Sequence, residues 1–363
     1  MFSETYKGRK VLVTGHTGFK GSWLCSWLLN LGAEVAGYSL YLPSDPCHFT
    51  TLNLGEKLYH IEDDIRDKEA LKEAFDIFKP EILFHLAAQP IVRKSYRDPV
   101  ETFETNAMGT LNVLECARNS SSLQAAVFIT SDKCYENVEW LWGYRENDRL
   151  GGADPYSASK ACAELILTSY MRSYFHEEGV RIATARAGNV IGGGDWAPDR
   201  IIPDCVRAWS QGAEASIRHP EATRPWQHVL EPVDGYLRLA QRLMQEDDAV
   251  RNQSFNFGPG PGVNQSVGEL IEELVGHWEN AAWSAVASEN PQKEAGLLKL
   301  NCDKAQALLD WSATLNFEES LKFTGEWYQT YYSSGAEAAS ALTQKQIEEF
   351  SARARRDGSP WTQ

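Results

Sequence analysis

The sequence predicts an α/β protein built on a doubly wound parallel sheet, with a second, smaller mixed α/β domain. Three observations support this fold class. Strand-length apolar runs alternate with helical periodicity, a glycine-rich loop follows the first apolar run, and glycine- and proline-rich segments appear after about residue 188. With 363 residues the chain is long enough for two domains. We expect one domain over residues 1–185, with a returning segment at about 229–255, and an interleaved second domain mainly over 186–363.

Six strands and the helices between them follow from the apolar patterns. The strands are predicted at residues 10–14, 34–38, 59–62, 82–86, 126–130 and 181–185. Helical periodicity marks residues 68–78, 101–119 and 155–178, the last with Asp154 as N-cap and Pro155 at the first helical position. Alternating strands and helices predict a parallel sheet. The C-terminal stretch 335–363 is expected to be a polar helix (343–355) ending in a loose tail.

The composition excludes several classes of function. Fifty acidic and 35 basic residues give a net charge of −15, so nucleic acid and anionic membranes are not expected partners. No apolar stretch approaches the ~20 residues of a membrane span, and the N-terminus has no apolar signal core. Seven scattered cysteines without a C-x-x-C pair indicate reduced thiols in a cytoplasmic protein. His16, His85 and His228 lack metal-ligand spacing, so we expect no metal.

A glycine-rich loop is the strongest single motif. Residues 15–21 read GHTGFKG, directly after the first strand and directly before the first helix. Small residues let the backbone approach a diphosphate, and the free N–H groups at the helix N-terminus attract its charge. The loop therefore predicts a dinucleotide cofactor on a Rossmann-type sheet. The expected contacts are Gly15, His16, Thr17, Gly18, Phe19, Lys20 and Gly21.

The adenosine end of this cofactor site lacks its usual acid. A carboxylate is expected about 20 residues after the loop, where it would hold the ribose. Here the second strand is followed by Ser39, and the first carboxylate is Asp45. Ser39 offers a single hydrogen bond, so the preference between NAD and NADP stays open. Asp64 and Ile65, after the third strand, are the expected contacts of the adenine, with Asp63 and Asp67 as nearby alternatives.

Tyr156 and Lys160 form a Y-x-x-x-K pair at the start of a predicted helix. Positions i and i+4 share one helix face, and a nearby ammonium stabilises a phenolate, so the tyrosine can act as a base. Tyr6 and Lys10 repeat the spacing but precede the first strand, and we dismiss them.

Ser131, Asp132 and Lys133 follow the fifth strand at the carboxyl edge of the sheet, where open α/β sheets carry their sites. They place a hydroxyl, an acid and a base side by side.

Taken together, these motifs resemble the nucleotide-sugar 4,6-dehydratases among the extended short-chain dehydrogenase/reductases. The resemblance covers most of the chain and includes residues 86–89 (LAAQ), Asn106 and residues 186–192 (RAGNVIG). It implies NAD as the cofactor. It also implies that Tyr156 and Lys160 contact the cofactor. The further cofactor contacts that it implies are Leu86, Ala87, Ala88, Gln89 and Asn106.

The resemblance also implies a mechanism. Tyr156, assisted by Lys160 and Ser131, takes the C4 hydroxyl proton while the C4 hydride passes to NAD. A base removes the C5 proton, Asp132 protonates the departing C6 hydroxyl, and the hydride returns to C6. Related thymidine-sugar enzymes carry Glu where this chain has Lys133. A lysine base must be neutral, so its surroundings have to lower its pKa.

The substrate side is predicted in the second domain. In an acidic chain, Arg218 and Arg224 are candidate clamps for a sugar-nucleotide diphosphate, because guanidinium suits phosphate oxygens. Asn189 resembles the family's diphosphate-binding asparagine. Arg200 and His228 complete the expected set, with Asp195 and Trp196 lining the cleft.

The resemblance favours CDP-glucose as the substrate, feeding deoxysugars of a bacterial surface polysaccharide such as the lipopolysaccharide O-antigen. Another nucleotide-glucose stays open. So does a nucleotide-sugar 4-epimerase, although Asp132 and Lys133 argue against it. A catalytically silent dinucleotide-binding regulator is a third alternative. The family commonly dimerises through helices matching 101–119 and 155–178, so we expect a homodimer or a higher homo-oligomer.

Overall fold

A seven-stranded parallel sheet forms the centre of the molecule. The parallel sheet and six of its strands were predicted, whereas the seventh, Ser254–Phe257, was not. A computed structural model describes residues 1–175, 179–260, 262–278, 280–286 and 296–363. In chain order the sheet strands are β1 Lys10–Thr14, β2 Glu34–Ser39, β3 Tyr59–Glu62, β4 Ile82–His85, β5 Ala125–Ile129, β6 Arg181–Ala187 and β11 Ser254–Phe257. Their order across the sheet is β11-β6-β5-β4-β1-β2-β3, and all neighbours are parallel.

Short two-stranded sheets follow β6 and lie outside the main sheet. Their strands are β7 Val190–Ile191, β8 Ala215–Ile217, β9 Thr223–Arg224, β10 Gln227–His228, β12 Gln265–Ser266 and β13 Trp283–Ala285. β10 pairs with β7, β12 with β9 and β13 with β8. Between β10 and β12 the chain contributes β11 to the main sheet, beside β6. The second half of the sequence is therefore interleaved with the first.

Helices cover the sheet and connect its strands. They are α1 Phe19–Asn30, α2 His48–Thr51, α3 Lys68–Phe78, α4 Val92–Arg97, α5 Pro99–Phe103, α6 Thr110–Asn119, α7 Pro155–Ser173, α8 Ile201–Ser210, α9 Leu230–Met244, α10 Val267–Val275, α11 Asp303–Leu309 and α12 Phe317–Arg356. A π-helical turn, Glu104–Gly109, joins α5 to α6, so the predicted helix 101–119 is divided. α7 ends at Ser173, and residues 176–178 of its predicted range lie outside the described residues.

Side chains from the central strands alternate between two hydrophobic clusters. In β1, Val11 and Val13 belong to one cluster and Leu12 to the other, and all three are fully buried. Successive strand residues point to opposite faces, so a strand covered on both sides reads as a continuous apolar run. The double coverage explains why β1, β4 and β5 are recognisable in the sequence.

The C-terminal region differs from its prediction. α12 extends over 40 residues with a change of direction at Gly335, where φ is 86°, and the chain beyond it is not loose. Trp361 is 2% exposed and stacks on Phe2 with 4.7 Å between ring centroids. The buried face of the helix includes Thr343, whose hydroxyl accepts a hydrogen bond from Trp327 Nε1 at 2.8 Å. Because small polar residues can be buried when hydrogen-bonded, a polar sequence here forms an inward-facing helix.

Among the residues described, no helix is both long and apolar enough to cross a membrane.

Candidate active site

A large cleft opens at the carboxyl edge of the sheet. Its volume is about 1590 Å³, and its walls come from the glycine-rich loop, the loops after β4, β5 and β6, and the segment around β8 and β9. Sites for single small molecules usually measure about 300–1,000 Å³. The cleft is therefore large enough for two ligands side by side, such as a dinucleotide and a nucleotide sugar.

The glycine-rich loop is packed too tightly for side chains at two of its glycines. Gly15 has φ +76°, and a Cβ there would lie 2.6 Å from the backbone nitrogen of Ala87. A Cβ on Gly21 would overlap the carbonyl oxygen of Gly15. Gly18 precedes α1 as its N-cap, so the first N–H groups of the helix stay free. This backbone is suited to a diphosphate.

The structure corrects the prediction for His16. Its ring is fully buried against Gly37 instead of lining the cleft. Its Nδ1 lies 2.9 Å from Ser39 Oγ, and its Nε2 lies 2.7 Å from His60 Nδ1. Burial lowers the pKa of His16 to about 3, so the ring is neutral. The ring positions Ser39, and only the backbone of His16 is left for cofactor contact.

Ser39, Asp64 and Ile65 all line the cleft at the adenosine end. Ser39 Oγ accepts a hydrogen bond from the backbone N–H of Thr17 at 3.3 Å, which ties β2 to the glycine-rich loop. Partial burial raises the pKa of Asp64, but hydrogen bonds from Arg66 outweigh it and hold the pKa below its usual value. The sequence analysis did not single out Arg66.

Asn106 also lies outside the cleft, contrary to its prediction as a cofactor contact. Its Oδ1 accepts a hydrogen bond from the backbone N–H of Gln89 at 2.8 Å, and its Nδ2 donates to Ser159 Oγ at 2.9 Å. The side chain is buried, and it joins the loop after β4 to α7. Leu86, Ala87, Ala88 and Gln89 do line the cleft, so Asn106 positions a contact residue.

Ser131, Asp132, Tyr156 and Lys160 meet at the centre of the cleft. Ser131 Oγ donates a hydrogen bond to Asp132 Oδ1 at 2.9 Å. Burial raises the pKa of Tyr156 to about 12, although a hydrogen bond with Ser131 opposes the shift. Burial lowers the pKa of Lys160 to about 8, and the charge of Glu164 opposes that shift.

Glu164, which the sequence analysis missed, lies four residues after Lys160 on α7, on the same helix face as Tyr156 and Lys160. Its carboxylate accepts hydrogen bonds from Arg186 Nε at 2.9 Å and Nη2 at 2.7 Å. Arg186 also donates to the hydroxyl of Tyr135 at 2.7 Å. Both charged side chains are nearly inaccessible, at 2% and 0% exposure. This ion pair links α7 to β6 beneath the catalytic cluster, and the i+4 spacing was the available signal for it.

Gly188 makes room for Asp132. A Cβ on Gly188 would overlap the carboxylate of Asp132, so any larger residue has to displace it. The neighbouring Asn189 donates from its Nδ2 to Asp132 Oδ2 at 3.3 Å. Asp132 is buried, with one oxygen facing Ser131 and the other facing Asn189. Its orientation is therefore set from both sides.

Two further lysines line the cleft. Lys133 is half-buried, and its backbone N–H donates to Ser131 Oγ at 3.3 Å. Lys20 projects from the first turn of α1. Burial lowers the pKa of Lys20 to about 8, Arg200 and Lys160 add to this effect, and Asp132 and Asp195 oppose it. Lys20 therefore interacts electrostatically with two of the predicted catalytic residues, Asp132 and Lys160.

Four of the five predicted substrate contacts line the cleft, and these assignments stay predictions. The cleft is lined by Asn189, Arg200, Arg218 and Arg224. His228 is wrong as a substrate contact: it is fully buried, with its ring edge-on to Trp23 and Phe323. Trp196 is likewise buried against Trp327, whereas Asp195 lines the cleft and lies 3.6 Å from Arg200 Nε.

Two ion pairs at the cleft were not predicted. Arg93 of α4 pairs with Asp199 at 2.9 Å, and Arg149 pairs with Glu136 at 3.0 Å. All four residues line the cleft. Within the described part of the chain, no group of three or more His, Cys, Asp or Glu side chains forms a candidate metal site.

Comparison with known proteins agrees with this geometry. The family model described as GDP-mannose 4,6 dehydratase matches residues 12–324. The chain is 46% identical to a CDP-glucose 4,6-dehydratase from Salmonella typhimurium, over 90% of this chain and 92% of that protein.

Two solved structures are similar in fold and in sequence. One is Pal from Bacillus thuringiensis, with a TM-score of 0.77, 26% identity, and coverage of 88% of this chain and 99% of that one. The other is a UDP-glucose 4-epimerase from Thermus thermophilus in complex with NAD, with a TM-score of 0.75, 26% identity, and the same coverage. The chain therefore belongs to the GDP-mannose 4,6 dehydratase family, within the nucleotide-sugar dehydratases of the extended short-chain dehydrogenase/reductases.

Proposed function

We propose that the protein is a CDP-glucose 4,6-dehydratase, a hydro-lyase that converts CDP-D-glucose to CDP-4-keto-6-deoxy-D-glucose and water. The observation that carries the proposal is the cluster of Ser131, Asp132, Tyr156 and Lys160 in one cleft with a dinucleotide loop. The similarity of this chain to a CDP-glucose 4,6-dehydratase along nearly its whole length supports the same activity.

The residues present fit NAD. The glycine-rich loop turns tightly at Gly15 and Gly21 and leaves the first N–H groups of α1 free for a diphosphate. Ser39, Asp64 and Ile65 line the part of the cleft that would hold the adenosine. When bound, NAD supplies a hydride acceptor for C4 of the sugar and later a hydride donor for C6. The protein has to hold the sugar, remove and deliver protons, and exclude water.

Tyr156 is the base for the C4 hydroxyl. The phenolate is costly in this buried position, and the hydrogen bond with Ser131 and the charge of Arg200 lower that cost. We assign the same role to the ammonium of Lys160, which lies on the same helix face. Ser131 contacts Tyr156 and also donates to Asp132. It therefore connects the group that receives the C4 proton to the carboxyl that must carry a proton later.

Asp132 and Lys133 carry the elimination. Once C4 is a ketone, the C5 proton becomes acidic, and the neutral amine of Lys133 removes it. The C6–O bond breaks as Asp132 gives its proton to the oxygen, which leaves as water, and a C5–C6 double bond forms. C6 then takes up the hydride that bound NAD would supply, and Lys133 returns its proton to C5. The proton that Tyr156 took from the C4 hydroxyl passes through Ser131 to Asp132, so the protein groups end as they began and one water has been lost.

The diphosphate of the nucleotide sugar is assigned to Arg218, Arg224 and Asn189, with Arg200 beside them. Arg218 and Arg224 place two guanidinium groups on the wall of the cleft, in a protein whose net charge is −15. Guanidinium groups bind phosphate oxygens in two-point geometry, so these two side chains suit an anionic substrate that the protein as a whole does not attract.

A panel of nucleotide sugars tests the proposal. Purified protein with NAD is given CDP-, dTDP-, UDP- and GDP-glucose, and the products are read by mass spectrometry. We expect loss of one water from CDP-glucose and from no other member of the panel. Dehydration of a different member alone would reassign the nucleotide. Inversion at C4 without mass loss would make the protein an epimerase.

The proposal includes a homodimer in the cytoplasm. The segments α5, α7 and the π-helical turn after α5 carry exposed apolar side chains, among them Val100 at 64%, Met108 at 50% and Leu165 at 58% exposure. Such side chains on neighbouring helices suit a shared helical interface. Light scattering on the purified protein tests this part: a monomeric mass, or an unchanged dimer after Leu165→Glu and Met108→Glu together, would contradict it.

A further inference from the structure

Lys20 stands in an unusual place for a glycine-rich loop. It occupies the second position of α1, and its side chain lines the cleft. Its charged neighbours are Asp132, Asp195, Lys160 and Arg200. None of these belongs to the adenosine end of the cleft, where Ser39 and Asp64 lie. The ammonium therefore faces the reacting part of the site.

The position is costly for a cation. The positive end of the α1 dipole favours anions, and burial penalises the ammonium further. Within the described residues, Lys20 has no side-chain hydrogen bond and no ion pair within 4.0 Å. The charges of Asp132 and Asp195 offset only part of the cost, because the pKa of Lys20 still falls to about 8. Burial and the dipole of α1 both disfavour the Lys20 ammonium at this position. A charge retained despite such a cost indicates a functional site, in which a bound ligand supplies the missing contacts.

Asp132, which lies near Lys20, indicates which part of the ligand Lys20 contacts. Asp132 is the group that protonates the C6 oxygen under the proposed function, on which this inference rests. We propose that Lys20 is a catalytic residue of the dehydration step, with its ammonium hydrogen-bonded to the departing C6 oxygen beside Asp132. The ammonium stabilises the negative charge that develops as the C6–O bond breaks. The proton in the water comes from Asp132, and Lys20 keeps its own.

Two substitutions separate this role from a simple cofactor contact. Lys20→Met keeps the length of the side chain without its charge, and Lys20→Arg keeps the charge. Three quantities are measured: NAD affinity, formation of reduced nicotinamide after mixing with CDP-glucose, and water loss by mass spectrometry. We expect Lys20→Met to bind NAD within about threefold of the wild type and to oxidise C4, while water loss slows about 100-fold or more. Lys20→Arg should recover about tenfold of that loss.

The controls make each result decisive. Lys322→Met changes an exposed lysine of α12 and should behave as the wild type. If Lys20→Met loses water at the wild-type rate at saturating NAD, or if C4 oxidation falls in parallel with water loss, the inference is wrong. If Lys20→Met misfolds, Lys20→Gln, which also removes the charge but keeps a polar side chain, takes its place, and water loss at the wild-type rate in Lys20→Gln overturns the inference. Failure of the wild type to dehydrate any nucleotide-glucose would instead reject the proposed function.

Discussion

At the scale of single residues, the position of the Asp132 carboxylate depends on the glycine at position 188. Asp132 can face both Ser131 and Asn189 only because position 188 has no side chain. Asp132, the proposed acid, therefore depends on a glycine that follows the end of the neighbouring strand. Its proton chemistry depends on packing as well as on its own identity.

Gly188→Ala should therefore displace Asp132. We expect turnover of CDP-glucose to fall about 100-fold or more, since an added methyl group would overlap the carboxylate, while NAD affinity stays within a few-fold. Steady-state kinetics and NAD titration check this. Gly260→Ala, where a Cβ meets open space, is the matched control. Near-normal turnover in Gly188→Ala would show that Asp132 is not held as described.

Lys133→Ala tests the base for C5. We expect NAD binding and C4 oxidation to persist, since Tyr156 and Lys160 are untouched, whereas dehydration is lost with the amine. In deuterated solvent the wild type should place deuterium at C5 of its product, and this incorporation reports the proton transfer. Full turnover by Lys133→Ala would transfer the base role to another group.

The pH dependence of nucleotide binding follows from two lysines. Burial lowers the pKa of both Lys20 and Lys160 to about 8, so both are charged below pH 8 and become neutral as the pH rises through that value. The cleft then loses up to two positive charges. We expect the inhibition constant of CDP to rise about 3- to 10-fold between pH 7 and pH 9. A constant value up to pH 9.5 would contradict the two low pKa values.

At the scale of elements, α7 acts as the spine of the site. Tyr156, Lys160 and Glu164 lie on one face of it, and the last of these pairs with Arg186 of β6. The pair joins the helix to the sheet inside the protein. It also places a negative charge near Lys160, where it opposes the loss of the ammonium.

Glu164→Gln should destabilise the protein strongly. An uncompensated Arg186 charge would remain buried, and breaking a buried pair in this way typically costs about 3–5 kcal/mol. Chemical denaturation measures the change in the free energy of unfolding. A loss below about 1 kcal/mol would mean that Arg186 finds another partner or reaches water.

The sequence motifs predicted where these elements lie better than they predicted which way individual side chains point. Strand ends and the i,i+4 rule placed Ser131, Asp132, Tyr156 and Lys160 correctly in one cleft. Membership of a motif does not say which way a side chain points, so His16 and His228 were assigned to ligands although they are packed inside. Their directions depend on contacts with distant residues such as His60 and Phe323, which no local pattern records.

At the scale of the whole molecule, the two chain ends close against each other. Trp361 packs between Phe2, Trp27 and Phe350, so the last residues complete a core that begins with the first. The sequence of α12 is polar enough to suggest a solvent-exposed helix. Its burial became evident only from the three-dimensional arrangement, because partners such as Trp27, which packs on Phe350, lie more than 300 residues away in the sequence.

Trp361→Ala should cost about 3–5 kcal/mol of stability, the range for removing a large buried aromatic side chain. Trp142→Ala is the matched control, because Trp142 is 71% exposed and its loss should change the free energy of unfolding by less than about 0.5 kcal/mol. Thermal or chemical denaturation of both variants gives the comparison. Equal effects of the two substitutions would mean that the C-terminus is not part of the core.

The central claim is that one cleft oxidises C4, removes water and returns the same hydride to C6. CDP-glucose carrying deuterium at C4 tests it most directly. The account predicts a product that has lost one water and carries the deuterium at C6, with NAD unchanged in amount. Loss of the deuterium to solvent or to free reduced cofactor, or its retention at C4, would contradict an intramolecular hydride transfer.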